Sequence, residues 1–192
     1  MSLVELDLMG GQGFPFLTTS GSMKYEPQVY DRFKTASPPG RGSMVIDQQD
    51  MGLVLGSRLR ALVPVSEWDF RVIMVDQSWL TVSADFLYQV IRSDPMLSPN
   101  HYEDEVFDCD DFALALKTKM AFFAQNNKLQ TPYAVGFMLT KKHAFNFCIE
   151  EGGSMALIDT QYDHRPPERD QTKFAEYLGL SVPGNTIQLI YV

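Results

Sequence analysis

Cysteine and histidine are both scarce in this sequence. The 192 residues include two cysteines and three histidines. Two cysteines are too few for a disulfide framework and too few for a zinc site built from cysteine ligands, so Cys109 and Cys148 are predicted to be reduced thiols. No metal and no other cofactor is expected from the sequence.

Clustered positive charge is also missing. The sequence has 16 Lys and Arg and 24 Asp and Glu, which gives a formal net charge of −8, and no basic stripe stands out. This argues against nucleic acid or an anionic membrane as the main partner, because both are bound through clustered cations. No run reaches the roughly 18 apolar residues of a membrane span. The stretch "MSLVELDLMGGQGFPF" lacks the basic start and apolar block of a secretory signal, which predicts a cytoplasmic protein.

The composition predicts one globular domain with an irregular beginning. Residues 1–55 are rich in Gly, Pro, Ser and Met and show little periodicity, so they are interpreted as a loop-rich N-terminal extension with at most one short strand. Residues 56–192 are interpreted as a single α+β domain. The sequence leaves the oligomeric state open.

Strands and helices are predicted within that domain from the spacing of apolar residues. "SRLRALVPV", "FRVIMVD" and the terminal "TIQLIYV" are typical of strands. "VSADFLYQVIRS" predicts an amphipathic helix with Ser83 as its N-cap. "PPERDQTKFAEYLGL" indicates a loop followed by a short helix.

The segment "FDCDDFALALKTKMAFFAQ" predicts a longer helix with a cysteine at its start. Asp108 is a suitable N-cap, and Asp111 can reach back in a capping box, which places Cys109 in the first turn. The apolar stripe of this helix runs through Phe112, Leu116, Met120 and Phe123.

Three extended segments follow, "YAVGFML", "HAFNFCIE" and "MALIDTQ", and their short connections favour an antiparallel meander. If residues 151–153 form a three-residue loop, Phe145 pairs with Asp159 and His143 pairs with Gln161. His143 and Asp159 then lie on the same face, diagonal to one another and within hydrogen-bonding reach. A two-residue turn would place them on opposite faces.

A cysteine at a helix start can be a nucleophile, because free amide N–H groups and the helix dipole favour the thiolate. The aspartates around Cys109 oppose this effect, so a cationic partner is required, and histidine is the usual one. His143, oriented by Asp159, is positioned to be this cationic partner of Cys109.

The ordered set "DCDDFALALK", "HAFN" and "LIDTQ" resembles the Cys, His, Asp core of the transglutaminase-like branch of papain-type cysteine enzymes, particularly small bacterial and phage-associated members. The resemblance implies an α+β fold in which the cysteine-bearing helix packs on an antiparallel β-sheet. It also implies catalysis, with Cys109 as the nucleophile, His143 as the general base and then acid, and Asp159 as the residue that orients the imidazole.

Two features depart from that family's pattern. Phe107 stands where a glycine commonly precedes the "DC" pair, and the sequence has no clear counterpart of the upstream glutamine or aromatic residue that usually helps to bind the oxyanion. Gln77, Trp79 and Tyr102 are the candidates for that donor, and the backbone N–H of Cys109 could supply another.

The resulting functional hypothesis is a cysteine hydrolase or amide acyltransferase that acts on a peptide, isopeptide or glutaminyl amide, with a peptide or peptidoglycan-type substrate as its partner. The alternative is a catalytically idle transglutaminase-like module with a binding or structural role, again phage-associated. The pH dependence of Cys109 alkylation would distinguish the two.

Simpler interpretations exist for several of these residues. Cys148 lies within an apolar strand, which predicts core packing. The acidic stretch "YEDEVFDCDDF" offers oxygen ligands for Ca²⁺ but lacks the oxygen ladder and central glycine of a calcium loop, so solvated acids and helix caps are the favoured interpretation. A divalent site that uses His101 or His164 is less favoured still.

Overall fold

The structure is a computed structural model that describes residues 4–6, 44–62, 70–104, 106–161, 167–177, 180 and 186–192. In chain order, the elements within these ranges are β1 (Val4–Leu6), β2 (Val45–Asp47), α1 (Gln48–Leu62), β3 (Arg71–Met74), β4 (Ser78–Leu80), α2 (Ala84–Ser93), α3 (Cys109–Asn126), β5 (Val135–Thr140), β6 (Ala144–Ile149), β7 (Met155–Ile158), α4 (Gln171–Tyr177) and β8 (Ile187–Tyr191). Two short 3-10 helices, Pro95–Leu97 and Pro99–His101, connect α2 to α3.

Six strands form one sheet in the order β1-β3-β8-β5-β6-β7, and β2 pairs with β4 in a separate ribbon. Strands β5, β6 and β7 form the predicted antiparallel meander. The expectation of an antiparallel sheet is nevertheless wrong, because β3 and β8 run parallel and make the sheet mixed. This pairing joins segments more than one hundred residues apart, which local connection lengths cannot predict.

The sheet is covered on both faces, since every residue of β6 and β7 is buried. Successive side chains of a strand point to opposite faces, and β6 therefore contributes to two apolar clusters. One cluster combines Phe145 and Phe147 with residues of α1 and α4, and the other combines Cys148 with α2 and α3. The core prediction for Cys148 is confirmed.

The predicted amphipathic helix is confirmed as α2. The Ser83 side chain caps it by accepting a hydrogen bond of 3.2 Å from the backbone N–H of Asp85. The short helix predicted near the end of the chain is α4, and the closing strand is β8.

The strand predicted for "SRLRALVPV" is wrong over the residues that are described, because Ser57 to Leu62 belong to α1. The burial of Met51, Leu55 and Leu59 explains the difference. These residues recur every four positions, a helical spacing that becomes visible only when the segment is considered from residue 48 onward. Helix α1 crosses the predicted boundary between residues 55 and 56, and that division of the chain stays a prediction.

Candidate functional site

Cys109 is the first residue of α3, as the capping pattern predicted. The Asp108 side chain accepts a hydrogen bond of 3.3 Å from the backbone N–H of Asp110. The Asp111 side chain accepts one of 3.4 Å from the backbone N–H of Asp108, which completes the capping box. The thiol therefore lies at the positive end of an 18-residue helix, where the helix dipole favours a negative charge.

His143 is positioned by the tight connection between β5 and β6. The Thr140 hydroxyl accepts a hydrogen bond of 3.0 Å from the backbone N–H of His143 and one of 3.2 Å from that of Lys142. The backbone N–H of Thr140 also donates to the His143 carbonyl at 2.8 Å. These bonds hold the His143 backbone just before β6 begins.

The predicted hairpin register is confirmed, and it brings Asp159 to His143. Asn146 pairs with Ile158, and the backbone N–H of Glu150 donates to the Ser154 carbonyl at 2.9 Å, so residues 151–153 form the three-residue loop. Gly152 and Gly153 have φ angles of 82° and 76°, a left-handed conformation that favours glycine.

The imidazole of His143 lies between a carboxylate and the thiol. His143 Nε2 is 3.0 Å from Asp159 Oδ2, and the Asp159 side chain is fully buried while 18% of the His143 side chain is exposed. The imidazole also hydrogen-bonds to the side chain of Cys109.

A backbone amide completes the surroundings of the sulfur. The N–H of Ala144, the first residue of β6, donates to Cys109 Sγ over 3.3 Å. Nothing in the sequence indicated this contact, because backbone donors have no signature in residue types. Cys109 remains partly exposed.

The pKa of His143 is raised to about 9. Burial of the imidazole acts in the opposite direction, but it is outweighed by hydrogen bonding to, and electrostatic interaction with, Asp159 and Cys109. The imidazole is therefore protonated at neutral pH, and a cation lies beside the thiol. An imidazolium in contact with sulfur is a common means of stabilising a cysteine thiolate.

The three candidates for an oxyanion donor lie in different surroundings. Trp79 of β4 is fully buried in the core, and Gln77 is exposed in the β3–β4 connection. Tyr102 is 45% exposed, and partial burial together with the charges of Asp104, Asp108 and Cys109 raises its pKa. Tyr102 is therefore close enough to Cys109 for the two side chains to interact electrostatically, and the role of each of the three candidates as a donor stays a prediction.

The acidic residues near Cys109 act largely as helix caps. Among the residues that the structure describes, Asp108, Cys109 and Asp110 alone bring three potential ligand atoms within 4.8 Å of one another. A hydrogen bond with Asp108 is the largest of the effects that raise the pKa of Asp110. Glu105 and His164, which the sequence also offered as ligands, lie outside the described residues.

Cys148 cannot form a disulfide with Cys109. The Cys109 sulfur contacts the amide of Ala144, and Cys148 lies four residues further along β6, which is about 13 Å at the usual strand rise. Disulfide formation requires Cα atoms within about 7 Å. Burial, followed by the charge of Glu150, raises the pKa of the Cys148 thiol. Both cysteines are free.

Comparison with known proteins defines the class of this chain. The family described as "Ricin-type beta-trefoil lectin C-terminal domain" matches residues 70–170. That is more than half of the 192 residues, and the chain belongs to this family. The matched residues include Cys109, His143 and Asp159.

Solved structures support a relationship in fold. The structure titled "PSL1a-E64 complex" superposes with a TM-score of 0.59 at 18% identity, over 77% of this chain and 51% of that chain. Polyporus squamosus lectin, bound to the human-type influenza-binding epitope Neu5Acα2-6Galβ1-4GlcNAc, gives a TM-score of 0.57 at 18% identity, over 77% of this chain and 49% of that chain. The chain thus spans about half the length of these neighbours. No curated protein matches the chain.

The family match corrects the resemblance drawn from short motifs. The chain is a lectin C-terminal domain and not a transglutaminase-like or papain-type member, so the core inferred from that resemblance is wrong. The functional hypothesis of a cysteine hydrolase or amide acyltransferase, and the idle transglutaminase-like module, are overturned by the same finding. The three motifs encode a local constellation, and the same constellation occurs on unrelated folds.

The expected partner is corrected as well. A peptide or peptidoglycan-type substrate was inferred from the resemblance, whereas one of the structural neighbours is a lectin bound to a glycan epitope. In the described part of the chain, no helix has the length and apolar character required to cross a membrane.

Proposed function

We propose that this chain is a unit of a carbohydrate-binding lectin and that Cys109, His143 and Asp159 form a nucleophilic thiol site within it. The family supports the first part of the proposal, since it is named for the C-terminal domain of lectins. The contacts of the imidazole support the second part.

The observation that carries the thiol site is the placement of one imidazole between Asp159 Oδ2, at 3.0 Å, and the thiol of Cys109. Asp159 orients the ring and stabilises its positive charge. His143 holds the proton that the thiol gives up. The helix start and the Ala144 N–H stabilise the negative sulfur, which can then attack an electrophilic carbon such as the CH2 of iodoacetamide, forming a C–S bond as the C–I bond breaks and iodide leaves.

We expect iodoacetamide to modify Cys109 much faster at low pH than it modifies an ordinary cysteine. At pH 6 a free thiol with a pKa of about 8.5 is less than 1% thiolate, so we expect Cys109 to react at least about tenfold faster than a cysteine in a short peptide. The rates are measured by mass spectrometry of the two cysteine-containing peptides.

Cys148 serves as the control in the same molecule, because it is fully buried and should remain unmodified while the protein is folded. A Cys109 rate at pH 6 equal to that of the short peptide would contradict the thiol site.

We also expect the chain to bind carbohydrate. The ligand of the Polyporus squamosus lectin, Neu5Acα2-6Galβ1-4GlcNAc, is the first compound to test, followed by neutral Galβ1-4GlcNAc. Because the net charge is −8, long-range electrostatics disfavour the acidic trisaccharide, and this effect weakens as salt is added. Isothermal titration calorimetry at two salt concentrations measures the affinity for each sugar and the change in affinity for the acidic trisaccharide as salt is added.

Saturable binding of at least one of the two sugars is the expected result, and maltose is the control sugar. Absence of saturable heat with both sugars would contradict a carbohydrate-binding role for this chain. That outcome would leave the alkylation result unaffected.

A further inference from the structure

We propose that Asn146 is a positioning residue of the thiol site and that its side-chain amide sets the relative placement of the three segments carrying Cys109, His143 and Asp159. This inference rests on the proposed thiol site. Asn146 interrupts an otherwise apolar strand, β6, in which it is fully buried.

The amide of Asn146 is fully hydrogen-bonded. Its Nδ2 atom donates to the Ala113 carbonyl of α3 at 2.9 Å and to the Gly136 carbonyl of β5 at 3.1 Å. Its Oδ1 atom accepts a hydrogen bond from the hydroxyl of Thr160, which follows β7 and is itself buried. Both N–H groups and the carbonyl oxygen therefore have partners.

Two partners of this amide, Ala113 and Thr160, lie on segments of the thiol site. Along the chain, Ala113 lies one helical turn after Cys109, Asn146 lies three residues after His143, and Thr160 directly follows Asp159. One side chain of β6, the strand that follows the base, thus bonds the helix that carries the thiol, the neighbouring strand β5 and the residue next to the orienting carboxylate.

Hydrogen bonds fix the relative positions of these segments better than apolar packing does. A buried amide is costly without partners, so the native arrangement is favoured over one in which α3 slides along the sheet and breaks the bonds. Hydrogen bonds also restrict distance and angle, whereas apolar contacts tolerate small shifts. The thiol and the imidazole belong to different elements, and a displacement of about 1 Å between reacting groups can cost about 100-fold in rate.

Thr160 offers the sharpest test, because it can lose its hydroxyl with little change in shape. We expect Thr160→Val to lower the rate of Cys109 alkylation at pH 6 by about tenfold and to move the rise of the rate to higher pH. We expect Thr160→Ser, which keeps the hydroxyl, to remain within about twofold of the wild-type rate.

A control must separate slower alkylation caused by a less stable fold from slower alkylation caused by displacement of the thiol from the imidazole. Ile149→Val removes one methylene group from the other apolar cluster, and it should lower Tm without moving the pH profile of alkylation. An unchanged profile in Thr160→Val, or equal profiles in Thr160→Val and Thr160→Ser, would overturn the role of Asn146. If Thr160→Val does not fold, Thr160→Ala is measured in its place, with the same expected result.

A measurement on the wild-type protein supplements the variants. Both side-chain amide protons of Asn146 should exchange slowly with solvent by NMR, and those of exposed Asn100 should exchange rapidly. Rapid exchange at Asn146 would overturn the proposed bonds. Failure of the thiol site itself is distinguishable, because ordinary reactivity of Cys109 would then be seen already in the wild-type protein.

Discussion

Replacement of Lys119 by Met is expected to lower the free energy of unfolding by about 3–5 kcal/mol, the usual cost of breaking a buried ion pair from one side. Lys119 Nζ lies 2.5 Å from Asp94 Oδ2, and the two side chains are 9% and 0% exposed. Lys119→Met keeps most of the apolar stem in place but leaves the Asp94 carboxylate buried without its cation.

The position of this pair adds to the expected effect. Asp94 ends α2, and its side chain also caps the following 3-10 helix by accepting a hydrogen bond of 2.9 Å from the backbone N–H of Met96. Lys119 lies on α3, the helix that begins with Cys109. The pair therefore fixes the connection that leads from α2 to the thiol-bearing helix.

Chemical denaturation monitored by circular dichroism provides the measurement, with Lys142→Met as the matched control. Lys142 is exposed, and we expect its replacement to change the free energy of unfolding by less than about 1 kcal/mol. Adding Asp94→Asn to Lys119→Met should recover part of the loss, because the neutral amide is less costly to bury. A change below about 1 kcal/mol in Lys119→Met would show that the buried carboxylate does not need this cation.

Replacement of His143 by Gln is expected to slow the alkylation of Cys109 at pH 6 by about 10- to 100-fold, because a hydrogen bond to a charged group contributes about 1.5–3 kcal/mol. Glutamine retains a polar side chain but cannot carry a positive charge. The imidazolium that His143 provides below its pKa of about 9 is then absent, and the thiolate loses both a charge and a hydrogen bond.

The pH dependence gives this prediction a definite sign. The folded-state pKa of His143 is raised, so its cation is present below about pH 9 and is lost above that value. The difference between the wild type and His143→Gln should therefore be large at pH 6 and should shrink as the pH rises through 9. The matched control is Lys142→Gln, which removes one positive charge from the adjacent, exposed position. Equal rates at pH 6 in the wild type and His143→Gln would exclude a role for the imidazole.

Much of the local geometry of the site could be predicted because it depends on short-range rules. The cap at Asp108 and Asp111 follows from hydrogen bonding within one turn of helix. The pairing of His143 with Asp159 follows from loop length, since one residue more or less in the loop would reverse the face on which a side chain lies.

The protein family inferred from that geometry was wrong. Three short motifs, correctly placed in space, resembled one class of protein, while residues 70–170 as a whole belong to another. A constellation of three side chains can be built on many folds, so it carries little information about ancestry. The lone asparagine of β6 was a visible signal in the motif "HAFN", but its partners could not be inferred from the sequence.

By itself the sequence determined the start of α3, the register of the β6–β7 hairpin and hence which residues could meet near Cys109. Each of these depends on residues close together along the chain. Only the tertiary structure decided the parallel pairing of β3 with β8, the helical state of residues 57–62, the ion pair of Lys119 with Asp94 and the bonds of Asn146. These features arise from packing between distant segments, where burial and hydrogen bonding override local propensity.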